Sequence, residues 1–209
     1  MSVMNKLASS LGRRDEVPNQ ELANKIIASK NSQSVKELIE NLNNKNKNIQ
    51  NDCIKVLYEI GSKEPMLIAD FSEVFVNLLN HKNNRLQWGA MTALNTITEI
   101  KPEKIHASLS KIILAADRGS VITNDQCVAI LIKLCGKKKF ENSAFTLLIE
   151  RLIKCPTNQL PMYAENALKI IAKKKETIFI STITKRIPEI EKESKRKRIE
   201  KVIKKALKS

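Results

Sequence analysis

The sequence predicts an all-α solenoid of stacked helical hairpins, on two observations. First, residues met at steps of 37 form unbroken columns over four copies: Cys53, Ala90, Cys127 and Ala164; Val56, Ala93, Ile130 and Ala167; Leu57, Leu94, Leu131 and Leu168; Ile60, Ile97, Leu134 and Ile171. These columns stand at offsets 0, 3, 4 and 7, which is one stripe of an α-helix. Second, an earlier stripe keeps the same period, with Leu38, Phe75, Ile112 and Ile149 in one column and Leu42, Leu79, Ala116 and Ile153 in the next. Each copy is therefore a pair, helix A then helix B, joined by polar turns at 43–48, 80–84, 117–120 and 155–159. A single pair cannot bury both apolar faces, so neighbouring copies stack around a shared core.

The elements follow in order. Residues 1–17 read as an N-terminal capping helix or a mobile arm, with Val3, Met4, Leu7 and Leu11 on one side and Arg13–Arg14 at its end. Residues 18–209 read as a single repeat domain. Pro18 opens a helix whose buried face is Leu22, Ile26 and Ile27. The first full unit spans about 34–62, with Ser34 as N-cap and Glu37 completing a capping box. The second spans about 69–100, capped by Asp70 or Ser72, and the third about 104–136, ending at Gly136. Pro65 and Pro102 recur one period apart between units, where proline stops one helix and opens the next. The fourth unit spans about 141–174. The last, about 177–207, carries Ile183, Ile187, Ile190, Ile199, Val202, Ile203 and Leu207, with a strongly basic second helix.

The pattern Ala/Cys-x-x-aliphatic-Leu-x-x-Ile in the second helix of paired antiparallel helices resembles HEAT or armadillo-type repeats, over roughly Val35 to Ala172. The resemblance implies a right-handed α-α superhelix (solenoid) of about five HEAT-like helical hairpins. It also implies that the B helices line an inner, concave surface that receives a partner. Many such units carry an Asp and a Lys or Arg in helix B. Asp52 and Lys55 match in the first copy and Asp125 in the third, whereas Gly89 and Thr92 depart from the pattern in the second.

Composition narrows the function. The four cysteines lack a C-x-x-C pairing; Cys53 and Cys127 share the small core column, so free thiols in a reducing cytoplasm are expected, without disulfide or zinc. No apolar run approaches the roughly 20 residues of a membrane span, and the first residues lack the order of a secretory signal. The two histidines, His81 and His106, have no second ligand at metal spacing. There is no glycine-rich phosphate loop, G-x-S-x-G or H-E-x-x-H. These absences argue against an enzyme, a cofactor and a small-molecule substrate. The segment Arg85-Leu86-Gln87-Trp88 bears a faint likeness to helix starts of the helical-repeat alkylpurine DNA glycosylases. A single tryptophan and the lack of an Asp placed beside it make that a distant third reading.

Two surfaces are candidates for binding. Trp88 lies in a column otherwise polar, Asn51 and Asp125 being one period away, and tryptophan is enriched at interface hot spots. With Lys55, Lys133, Tyr163 and Asn166, all off the apolar stripe of B helices, it marks an expected protein-binding face; its mixed charge favours a polypeptide. The alternative is nucleic acid. Of the net charge of +15, residues 173–209 hold +9 (14 Lys and Arg against 5 Asp and Glu). The last helix exposes Lys195, Arg196, Lys197, Arg198, Lys201, Lys204 and Lys205, a set able to neutralise phosphates without reading sequence. Interleaved aromatics for base stacking are absent. The first reading is a non-enzymatic scaffold or adaptor.

Overall fold

The computed structural model describes residues 2–171 and 173–208, and Lys174 by its backbone alone. The expected end of the resemblance at Ala172 and the chain ends Met1 and Ser209 lie outside the described residues. The chain forms two compact units, Met1–Cys127 and Val128–Ser209.

The first unit begins with two short 3-10 turns, Met4–Lys6 and Ser9–Leu11, in place of one helix. Leu7 between them is extended, and Gly12 takes a left-handed φ of 67° that ends the segment. Val3, Leu7 and Ala8 are buried, whereas Leu11 is exposed. Helix α1 (Val17–Ser29) opens on Pro18 and buries Leu22, Ala23 and Ile26; Ala23 replaces the expected Ile27. Helix α2 (Ser32–Glu40) is not capped by Ser34. Asn31 accepts from the Ser34 N–H (2.9 Å) and starts the helix three residues earlier, so Ser34 is buried in the first turn. Glu37, released from the expected capping box, accepts instead from the Ser2 hydroxyl and the Val3 N–H.

Helix α3 (Lys47–Lys63) carries the first B stripe, and Cys53, Val56, Leu57 and Ile60 are all fully buried. Two 3-10 turns, Pro65–Leu67 and Ala69–Phe71, precede α4 (Ser72–Leu78). Neither Asp70 nor Ser72 caps α4: Asp70 is exposed and accepts an ion pair from Lys101 (2.9 Å). Helix α5 (Asn84–Ile97) buries Ala90, Ala93, Leu94 and Ile97, the columns one period on. Pro102 opens α6 (Pro102–Ala107), and a break at Ser108 separates it from α7 (Leu109–Arg118). Each fully buried leucine, isoleucine or valine of these stripes contributes about 1.5–3 kcal/mol.

The division between units falls inside α8 (Val121–Cys135). In the second unit, α9 (Glu141–Lys154) has slipped by one position from the 37-residue register. Leu148 and Leu152 are buried, while Ile153 is 54% exposed. Helix α10 (Leu160–Leu168) buries Tyr163, Ala164 and Ala167. Helix α11 (Lys173–Lys185) begins ahead of the expected Thr177 and buries Phe179 and Ile183. Helix α12 (Glu193–Ala206) buries Ile199, Val202 and Ala206, and Leu207, expected in its stripe, is 70% exposed. Among the described residues no helix is long and apolar enough to cross a membrane.

Candidate functional site

The B helices of the first unit build one cluster. Helix α3 is started by Asn46, whose side chain accepts from the Asn48 N–H, and α5 by Asn83, which accepts from the Arg85 N–H. An N-cap of this kind satisfies one of the orphan donors of the first turn. The Asn83 amide also donates to Gln50 (3.1 Å) and Asn51 (2.9 Å), so the start of α5 is pinned to α3. Further along the same two helices, Tyr58 and Trp88 meet with ring centroids 5.7 Å apart at 46°. Arg85, one turn before Trp88, lays its guanidinium over the indole at 5.5 Å, and Lys55, one turn before Tyr58, places Nζ 4.9 Å from the phenol ring. Both are cation–π geometries.

Charge completes the cluster. Lys55 is only 5% exposed, and a buried ammonium must be paired. It donates to Glu59 (2.6 Å), one turn on, and to Glu16 (2.7 Å). The second oxygen of Glu16 accepts from Arg85 Nη2. Glu16 therefore joins two cations from neighbouring B helices, although it belongs to the segment before α1. Burial opposes its ionisation, but Lys55 and Arg85 outweigh burial and hold the carboxyl below its usual range. Burial likewise opposes the charge on Lys55, and its bonds to Glu16, Glu59 and Tyr58 raise its pKa well above the ordinary lysine value. Burial raises the Tyr58 hydroxyl. Beside the cluster opens a cleft of about 420 Å³, lined in part by Arg13, Arg14, Asn48, Asn51 and Arg85.

Of the residues expected to bind a protein, Trp88 and Lys55 are brought together here through Tyr58. Trp88 is half-buried, whereas Lys55 reaches solvent hardly at all. In the second unit Lys133 is half-buried, Asn166 is exposed, and Tyr163 is 2% exposed within the core. Tyr58, Arg85 and Glu16 were not selected from sequence as contacts. Tyr58 and Arg85 each lie one turn from a chosen residue, so helical spacing held the signal. Glu16 sits outside the repeat period, and nothing in the sequence ties it to Lys55.

The basic helix α12 is partly engaged. Arg198 forms a fork with Glu165 (2.8 and 2.6 Å), Lys197 pairs with Glu193 (2.7 Å), and Lys195 donates to Asn158. Arg196 donates to the Glu191 carbonyl (3.0 Å), and it is exposed, as are Lys201, Lys204 and Lys205. All four cysteines are buried, with Cys53, Cys135 and Cys155 as free thiols; burial pushes Cys53 and Cys135 up to about 12. Among the described residues no group of three or more His, Cys, Asp or Glu is placed to hold a metal ion.

No family model matches the chain, and no curated protein matches it. Solved structures do. An engineered protein is 20% identical with a TM-score of 0.64, all of each chain being covered. Computationally designed armadillo repeat proteins for modular peptide recognition are matched at 15% identity and a TM-score of 0.62, over 89% of this chain and 86% of the other. A designed armadillo repeat protein in complex with the peptide (KR)4 is matched at 17% identity and 0.61, over 98% and 99%. The chain has an armadillo-like helical-repeat fold: its 37-residue period predicts the repeat, and the resemblance of its second helices implies the type.

Proposed function

We propose that the chain is a non-enzymatic scaffold that holds another protein, as a peptide segment, on the face formed by its B helices. The observation that carries this reading is the half-buried Trp88, packed on Tyr58 and covered by Arg85 in a column otherwise polar. A rigid aromatic supported from beneath and rimmed by charge is the usual make-up of an interface hot spot. The peptide recognition of the designed armadillo repeat proteins supports the same use of the fold. In the second unit Lys133 and Asn166 are the corresponding contacts on α8 and α10. The buried thiols of Cys53, Cys135 and Cys155, none of them in a disulfide, favour a reducing cytoplasm as its setting.

The test is a peptide array probed with the chain and with Trp88→Ala, each first checked for helical content. Sequence-selective spots that Trp88→Ala loses support the reading. Equal binding by both proteins, or no selective spot at all, overturns it.

Phosphate-backbone binding by α12 is a second reading, favoured by the exposed Arg196, Lys201, Lys204 and Lys205 on one helix. The bonds that Lys195, Lys197 and Arg198 already make weaken it. Anisotropy of labelled duplex and single-stranded nucleic acid decides. Binding that persists at physiological salt and falls linearly with log salt supports it, and binding confined to low salt overturns it.

A further inference from the structure

The geometry around Glu16 points to the chemistry of the partner: an acidic peptide whose carboxylate takes the place of Glu16 between Lys55 and Arg85, with Glu16 as the built-in competitor. This inference rests on the peptide-binding reading above and names the class of peptide.

Lys55 and Arg85 belong to adjacent B helices, on the face proposed to bind, whereas the anion between them comes from the irregular segment before α1. Glu59 supplies one negative charge to Lys55. Without Glu16, two cations would face one carboxylate, with Arg85 left unpaired. Arg85 also keeps a buried Nε without a hydrogen-bond partner among the described residues, so the guanidinium has donor capacity that Glu16 does not fill. Its planar fork suits a carboxylate that can take two parallel bonds. The acidic groups nearest the cleft are already engaged: Asp15 by Arg13, and Asp52 by the Ser9 N–H and Asn19. The cleft lining sets Arg13, Arg14 and Arg85 against Asp15, Glu16 and Asp52, so it is balanced while Glu16 is in place and holds an excess of one cation once Glu16 turns out, next to the Tyr58–Trp88 stack.

The Glu16 side chain is 42% exposed and stands at the start of α1 without a capping bond, so solvent is open to it if it turns outward. The designed armadillo protein in complex with (KR)4 holds a basic peptide; the pair of cations Lys55 and Arg85 here selects the opposite sign.

Trp88 is the single tryptophan, so its emission reports on this site in the full chain. Hexaglutamate is titrated at physiological ionic strength into the wild type, Glu16→Gln, Arg85→Gln and Lys201→Gln, with hexalysine and a neutral Gly-Ser hexapeptide as comparison probes. Glu16→Gln should tighten hexaglutamate binding about tenfold, since an intramolecular occupant that fills the site nine-tenths of the time reduces apparent affinity by that factor. Arg85→Gln should weaken it about tenfold. Lys201→Gln removes the same charge from α12 and should change little. Equal affinities for wild type and Glu16→Gln, or equal losses for Arg85→Gln and Lys201→Gln, overturn the inference. If hexalysine or the neutral peptide moves Trp88 emission while hexaglutamate does not, the binding face stands and the acidic partner falls. If no probe moves it in wild type or Glu16→Gln, the acidic partner falls, and the array with Trp88→Ala decides separately whether the face binds peptides.

Discussion

A Cβ added to Gly89 would lie 2.6 Å from Cγ1 of Ile54 and 3.2 Å from its Cγ2. Ile54 is fully buried and β-branched, so it has no flexible end to swing aside. The missing side chain is what lets α3 and α5 approach closely. That approach brings Tyr58 against Trp88, on the residue next to Gly89.

Gly89→Ala is therefore expected to destabilise the chain even though alanine favours a helix by about 1 kcal/mol over glycine. Overpacking of this kind costs about 1–3 kcal/mol, and the net loss should be up to about 2 kcal/mol. Urea unfolding followed by circular dichroism measures it, and Trp88 emission should shift in the folded variant as the Tyr58 contact opens. An unchanged or raised midpoint would show that Ile54 yields without strain.

Asp52 is the anchor of the N-terminal segment on α3. It accepts from the Ser9 N–H at 2.8 Å and from the Asn19 amide at 2.7 Å, and Asn19 in turn accepts from the Ala8 N–H at 3.0 Å. Hydrogen bonds to a charged group contribute about 1.5–3 kcal/mol each when buried. Asp52→Ala should speed amide exchange through residues 2–12 and lower stability by about 1–3 kcal/mol, with Asp52→Asn between it and the wild type. Exchange confined to its wild-type rate in those residues would assign the anchoring to Val3 and Leu7 alone.

How much of this was legible in sequence follows from what repeats. The B stripes are set by packing against the next layer, so Cys53, Ala90, Cys127 and Ala164 keep one period and are all buried. The A stripe of the fourth copy leaves the 37-residue register because Leu147, Leu148 and Ile149, then Leu152 and Ile153, form apolar runs that suit either of two registers. The cap of α2 falls on Asn31 because Asn31 and Ser34 both suit a helix start, and only the fold decides which one is buried. Asp52 drew notice through the family resemblance and Lys55 through its position, but the pairing of Glu16 with Lys55 and Arg85 joins residues 39 and 69 positions apart and leaves no periodic trace.

Acid should loosen the same cluster. The Glu16 carboxyl lies below its ordinary value of 4.5 in the folded chain: burial raises it, and Lys55 and Arg85 lower it further. A carboxyl depressed on folding contributes stability above the unfolded value, and the contribution is lost as pH falls through the folded one. Trp88 emission should therefore be flat above about pH 5 and change below 4.5, while Glu16→Gln should lack that transition. A wild-type transition at or above 4.5 would mean that the two cations do not hold the carboxylate.

Arg186 secures the corner between α9 and α11 in the second unit. Its Nη1 donates to the carbonyls of Leu152 (2.9 Å) and Cys155 (2.7 Å), orphan acceptors at the end of α9, while Nε and Nη2 donate to Glu189 (2.9 and 2.6 Å). Lysine cannot reproduce a fork that serves two carbonyls and a carboxylate at once. Arg186→Ala should cost about 2–4 kcal/mol, since buried acceptors lose a charged donor, and Arg186→Lys should recover less than half of it. Cys155 supplies a local readout. Its buried thiol also receives Nη1 at 3.6 Å, and burial holds its pKa up against the opposing pull of Arg186. Removing the guanidinium opens that corner while leaving Cys53 in the core of the first unit. Arg186→Ala should therefore speed labelling of Cys155 by a thiol reagent and leave Cys53 at its wild-type rate, with site assignment by mass spectrometry. Equal acceleration at both sites would mean that the variant acts through global unfolding and that Arg186 has no separate hold on the corner.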